Sequence, residues 1–223
     1  MPRTARAVEA GGYYHVLNRG NGRMDLFHKP ADFNAFVRIL PEGLEWYQVD
    51  LLAWCLMHNH WHLVLRPGRG EELGRLMGWV CVTHVRRHHA HYHTGGGGHL
   101  YQGRFKSFPV QDDRHFLMLC RYVEANPVRA GLVDSGREWP WSSLHARSDK
   151  QPALPTIAWP VKRPANWLAL VDRPMRRQEA DAVRLSMTRG RPLGDEAWTL
   201  ETAHRLALDY TLRPRGRPRV VAK

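Results

Sequence analysis

Two apolar runs of strand length, VDLLAWCLM (Val49 to Met57) and HWHLVL (His60 to Leu65), are separated by only His58 and Asn59. A connection that short cannot cross over a sheet, so the runs form an antiparallel hairpin with His58-Asn59 at its turn. A core built around such a hairpin is a sheet with partners on its flanks. It also raises a chemical question, because an apolar segment that needs only Val and Ile to pack carries three imidazoles.

The flanking sequence supplies the partners. Tyr13 to Arg19 (YYHVLNR) is β-prone and ends in Gly20-Asn21-Gly22, a turn signal, and Lys106 to Val110 reads as another strand. Asp32 reads as a helix cap, followed by an apolar stripe of Phe33, Phe36, Val37 and Leu40 in a helix that Pro41 can kink and that ends near Tyr47. Glu71 to Ala90 places Leu73, Leu76, Met77, Val80 and His84 on one helical face before Gly95 to Gly98, read as a mobile loop. Asp112 and Asp113 suit a helix start, Phe116, Leu119, Cys120 and Val123 make its buried face, and Pro127 stops it. The order strand, helix, strand, strand, helix, strand, helix predicts an α+β, ferredoxin-like sandwich: a central antiparallel sheet with helices on one face.

This organisation covers residues 1–148. Prolines 152, 155, 160 and 164 mark 149–175 as a Pro-rich linker, and 176–223 reads as a helical extension, with helices at Arg176 to Met187 and Asp195 to Leu208. Its last twelve residues, LRPRGRPRVVAK, carry five positive charges and no acid, so this end is expected to be disordered when free.

Charge narrows the partner. Lys plus Arg number 33 against 21 for Asp plus Glu, a net +12 with His neutral, which calls for a polyanion. No apolar run approaches the roughly 20 residues of a bilayer crossing, so nucleic acid is favoured over a membrane. The N-terminal MPRTARAVEAGG lacks a secretory apolar core, which places the protein in the cytoplasm, associated with the nucleoid. Cys55, Cys81 and Cys120 are odd in number and lie in apolar stretches, so they read as reduced core thiols.

On a strand, residues two apart share a side, so His60 and His62 project together while Trp61 projects the other way. Two imidazoles on a rigid strand make half of a divalent-metal site. The plainer reading, a pair hydrogen-bonded in the core, stands beside it.

The blocks YHVLNRGN (Tyr14 to Asn21), NHWHLVL (Asn59 to Leu65), GHLYQGRFKS (Gly98 to Ser107), RYVEANPVRAGLV (Arg121 to Val133) and WPWSSL (Trp139 to Leu144) together resemble the single-tyrosine transposases of the His-hydrophobic-His endonuclease superfamily. The nearest subgroup is the one associated with repetitive extragenic palindromes, whose C-terminal extension the tail also resembles. One departure is His58, where that family usually has proline. It offers a stray third imidazole.

The resemblance implies that Tyr122 is the nucleophile and that His60, His62 and Asn126 hold a divalent metal, Mg2+ or Mn2+. It implies a single-stranded DNA endonuclease and strand transferase, cleaving hairpin-forming palindromic repeats through a 5′-phosphotyrosine intermediate. A noncatalytic DNA-binding or regulatory protein derived from a transposase is the alternative. The joint presence of His60, His62, Tyr122 and Asn126 favours the enzyme. Monomer and homodimer both stay open.

For the strand itself, Arg86 and Arg87 in the His-rich end of the second long helix, Arg104 and Lys106 in QGRFKS, and Arg129 are expected phosphate contacts. Arg213, Arg215, Arg217 and Arg219 join them in the tail, where PRGRP resembles an AT-hook core but serves equally as an electrostatic anchor. Trp61, Trp139 and Trp141 are expected to be buried beneath the site.

Overall fold

In a computed structural model of the chain, residues 8–148, 154 and 156–213 are described. The hairpin forms as read: β2 (Val49–Met57) and β3 (His60–Pro67) pair antiparallel across a turn at His58 and Asn59. With β1 (Tyr13–Arg19) and β4 (Lys106–Val110) they make a four-stranded antiparallel sheet in the order β2-β3-β1-β4. Helix α1 (Pro30–Trp46) links β1 to β2, and α2 (Gly70–Tyr92) links β3 to β4, which is the split βαβ arrangement of ferredoxin-like folds. Helix α1 continues through Pro41. It begins two residues before Asp32, whose carboxylate instead accepts from the backbone N–H groups of His28 (2.8 Å) and Lys29 (3.1 Å), satisfying donors at the helix entrance.

The two faces of the sheet are distinct. Trp61 packs on Phe36 of α1, and His84 of α2 packs on the same Phe36, so α1 and α2 share one face as expected. The other face is also covered. Tyr13 of β1 meets Phe116 of α3 (Arg114–Glu124), whose stripe of Phe116, Leu119, Cys120 and Val123 is buried. Strand β2 explains this second layer, because all its residues except Asp50 are buried and a strand apolar on both sides needs both sides packed. A β-bulge between Leu51 and Ala53 resets its alternation.

Both outer edges are closed. Along β2, the N–H of Leu56 donates to Trp141 O (2.9 Å), the N–H of Trp54 to Ser143 Oγ (3.0 Å), and Leu51 O accepts from Ile157 (3.0 Å). Along β4, Leu193 donates to Pro109 O and accepts from Gln111, each at 2.9 Å. Covered edges cannot recruit another chain.

The stretch 149–175, read as a linker from its prolines, is packed where it is described. Trp159 donates to Leu52 O (2.8 Å), and α6 (Trp167–Asp172) buries Trp167 and Val171 against the core. One buried and one half-buried tryptophan anchor outweigh the helix-breaking prolines around them. Short helices α4 (Asn126–Arg129) and α5 (Ser143–Ala146) precede it, and α7 (Arg177–Arg189) and α8 (Glu196–Arg205) follow. No helix among the described residues is long and apolar enough to cross a membrane.

At the end of β1, Gly20 donates to Asn59 O at 2.9 Å, tying this strand to the hairpin turn. A Cβ there would stand 2.1 Å from Met24 O, so only glycine permits the approach.

Candidate active site on the α3 face of the sheet

Strand alternation brings His60 and His62 together on the face covered by α3, their ring centroids 5.0 Å apart. His62 is buried and His60 half-buried. The neighbouring strand adds a third ring that the sequence reading did not single out. His15 of β1 stacks on His62 with centroids 5.0 Å apart, and its Nε2 lies 2.9 Å from His62 Nδ1. His60 Nδ1–H donates to Asn59 Oδ1 (2.6 Å), which leaves His60 Nε2 as a lone pair.

Burial is the main reason all three imidazoles are neutral. It pushes His60 down to about 4, with Arg19 and Arg129 adding to the effect, and His15 down to about 3. Burial also holds His62 well below the usual histidine range, reinforced by His60, His15 and the two arginines. Neutral rings are the form that ligates cations. His58 does not join them. It turns to the other side, where its Nδ1 donates to Phe27 O (3.2 Å) and Phe33 and Trp139 pack on its ring.

Tyr122 comes from α3 to the same place, its ring centroid 6.3 Å from that of His62 and nearly perpendicular to it. The side chain is 5% exposed. Arg129 stands over the ring, 3.7 Å from its centroid. Its guanidinium donates to Tyr122 O (3.2 Å) and to Asn126 Oδ1 (2.7 Å), while Asn126 Nδ2 donates to Tyr122 O and Val123 O at 3.1 Å each. A second arginine approaches from the C-terminal extension: Asp181 first, then the Tyr122 phenol, hold the Arg184 guanidinium above its usual range.

The donor set fits a divalent cation through two imidazoles. Among the described residues, no three or more His, Cys, Asp or Glu side chains are arranged as a metal cluster. The Asn126 amide oxygen faces Arg129, and any further ligation by it uses its remaining lone pair.

The expected DNA contacts divide by face. Lys106 pairs with Leu17, which pairs on its other side with His62, so Lys106 shares the site's face. Arg104, Lys106 and Arg19 line one cleft of about 330 Å3 together with Met187 and Thr188 of α7. Arg19, opposite His60 in the β1–β3 register, was not singled out in the sequence although it follows His15 at strand periodicity; its Nε is buried with no hydrogen-bond partner among the described residues. Arg86 and Arg87 lie on α2, across the sheet from Tyr122, and His88 beside them is buried against Tyr92. Arg213 offers its carbonyl to Arg189, and Arg215, Arg217 and Arg219 lie outside the described residues. Trp61 and Trp139 are buried behind the histidines, on the α1 side, and Trp141 is half-buried against Phe33.

Comparison with known proteins places the chain in a family. Residues 10–126 match the family profile described as transposase IS200 like. A REP-associated tyrosine transposase by name, from Haemophilus influenzae, is 24% identical over 123 residues, which is 50% of this chain and 68% of that protein. The solved structure of a REP-associated tyrosine transposase bound to a REP hairpin superposes with a TM-score of 0.50 at 20% identity, covering 65% of this chain and 84% of that one. Because the profile spans more than half of its 223 residues, the chain belongs to the IS200-like transposases, enzymes that nick and rejoin DNA.

Proposed function

We propose that the protein is a single-stranded DNA endonuclease and strand transferase for hairpin-forming palindromic repeats, with Tyr122 as its nucleophile. Residues 1–148 are read as the catalytic unit and 176–223 as a DNA-binding extension, working in the cytoplasm at the nucleoid. The observation that carries this reading is the approach of the Tyr122 phenol to His62, the inner member of the His60–His62 pair.

In this reading the phenol oxygen attacks the phosphorus of one phosphodiester and forms a P–O bond while the bond to the 3′ oxygen breaks. The phenol proton is lost and the 3′ oxygen leaves as a hydroxyl, so the strand is held as a 5′-phosphotyrosine. The new ester conserves the energy of the old one, and a second 3′-hydroxyl can reverse the step. Arg129 stands over the ring and Arg184 interacts with the phenol, so positive charge sits beside the nucleophile and the phosphate it would attack. Arg19, Arg104 and Lys106 hold the strand by its phosphates in the adjacent cleft. A divalent cation, Mn2+ or Mg2+, on His60 and His62 with Asn126 as a further ligand, would supply charge neutralisation at the phosphate.

The test is incubation of the full chain with labelled single-stranded hairpins and either metal, followed by denaturing electrophoresis. A protein–DNA adduct that forms with the wild type and not with Tyr122→Phe is expected. Hairpin binding without an adduct under any metal would favour the noncatalytic reading.

A further inference from the structure

Glu124 follows Tyr122 by two residues in α3 and so points about 200° further round the helix, to the side away from the histidines. It is fully buried, and accepts from Ser143 Oγ (2.5 Å), Trp167 Nε1 (2.7 Å) and Arg147. Over this node opens a cleft of about 320 Å3 whose walls include Arg137, Arg147, Arg163, Ser148 and Trp167. The guanidiniums of Arg147 and Arg163 both lie over the Trp159 ring, at 5.0 and 5.7 Å from its centroid.

Among the described residues the charges here do not balance. Three arginines meet one carboxylate, and that carboxylate is already taken by Ser143, Trp167 and one edge of Arg147. Among the described residues, neither Arg137 nor Arg163 has a carboxylate within salt-bridge distance. Nε and Nη1 of Arg147 are buried with no hydrogen-bond partner among the described residues. Buried donors are normally satisfied, and a forked, planar donor set matches the tetrahedral oxygens of a phosphate. Burial, then the nearby Arg163, lowers Arg147 to about 10.

We propose that the Arg137–Arg147–Arg163 cleft is a phosphate-binding site separate from the Tyr122 centre. The ligand is a phosphate group, carried either by the backbone of bound DNA or by a free phosphate or nucleotide. Phosphate oxygens accept from the exposed guanidiniums of Arg137 and Arg163, and Arg147 adds its positive charge from the cleft wall. This does not rest on Tyr122 being a nucleophile.

The test uses the full chain and the double variant Arg137→Gln/Arg163→Gln. Both side chains are exposed, so the fold is retained. In chloride the variant should melt at or above the wild-type temperature, since two uncompensated charges have been removed. Replacing chloride by inorganic phosphate at equal ionic strength should raise the wild-type midpoint by about 3 °C or more and leave the variant unmoved. A hairpin oligonucleotide then distinguishes the sources. About 5-fold weaker binding by the variant, with a shallower salt dependence, assigns the site to the DNA backbone; unchanged hairpin affinity with a lost phosphate response assigns it to a free phosphate or nucleotide. An equal phosphate response in wild type and variant overturns the proposal, and Tyr122→Phe should show the wild-type response.

Discussion

The guanidinium of Arg129 stands 3.7 Å from the centroid of the Tyr122 ring while donating to the carbonyl of the same residue and to Asn126 Oδ1. One cation therefore fixes the ring, the end of α3 and the amide at once. Lysine keeps the charge but, as a point donor, cannot hold two acceptors by a fork while laying a flat face on the ring. Arg129→Lys should slow formation of the tyrosine–DNA adduct by about 10- to 100-fold, the cost of a loosely placed nucleophile, with hairpin affinity nearly unchanged. Single-turnover kinetics measure this, and a wild-type rate would remove Arg129 from positioning.

His15 supports the histidine pair from the neighbouring strand. When His62 Nδ1–H donates to His15 Nε2, Nε2 of His62 is the lone pair that remains for a cation. His15→Leu should pack acceptably against Phe108 yet weaken Mn2+ binding by about 10- to 100-fold, as loss of an outer partner of a ligating histidine does. Titration calorimetry with Mn2+ reads this directly. Equal affinity would leave His15 as a packing residue.

Much of this was legible in the sequence because strands and amphipathic helices announce themselves by period. The bounds of β1, β2 and β4 follow from the apolar runs, and the side-by-side placement of His60 and His62 follows from alternation alone. What alternation cannot give is strand order. His15 becomes a neighbour of His62 only because β1 pairs with β3, and a single strand contains no hint of which partner it will take. The second covered face was hidden for a related reason, since α3 is an ordinary amphipathic helix until β2 presents it with a second apolar side. The region after residue 148 misled through its prolines, whose local effect is real but is overridden where Trp159 and Trp167 dock. Arg184 approaches Tyr122 through tertiary packing of α7 across 61 intervening positions of sequence, which no motif encodes.

Glu124 anchors that docking. Its carboxylate is fully buried and gathers Ser143, Arg147 and Trp167, so α3, α5 and α6 are joined at one charge. Glu124→Gln removes the charge but keeps the volume, leaving a largely buried Arg147 without its counter-ion. Breaking one side of such a pair costs about 3–5 kcal/mol. Urea unfolding should show a loss of that order, and Arg147→Leu placed on top should recover part of it by removing the stranded cation. A loss below about 1 kcal/mol would mean that Arg147 finds water instead.

Acid should unfold the protein through its buried neutral histidines, and His84 isolates the effect because it lies on the α1–α2 face, away from His60 and His62. Tyr101 O–H donates to His84 Nδ1 (2.7 Å) and accepts from Trp61 Nε1 (3.0 Å), so a protonated His84 would lose its acceptor role in a closed network. Burial, then His88, lowers His84 to about 3 from 6.5, with Asp32 opposing weakly. The unfolded chain therefore binds a proton below about pH 6.5 that the folded chain refuses until about pH 3. The stability His84 contributes is complete above 6.5 and is lost as pH falls through that window, at up to about 1.4 kcal/mol per pH unit. Urea midpoints measured between pH 7.5 and 4.5 should fall for the wild type and fall less steeply for His84→Gln, which carries no titrating ring but can still accept from Tyr101. Parallel lines for the two proteins would show that His84 is protonated in the folded state and that the Tyr101 network rearranges to allow it.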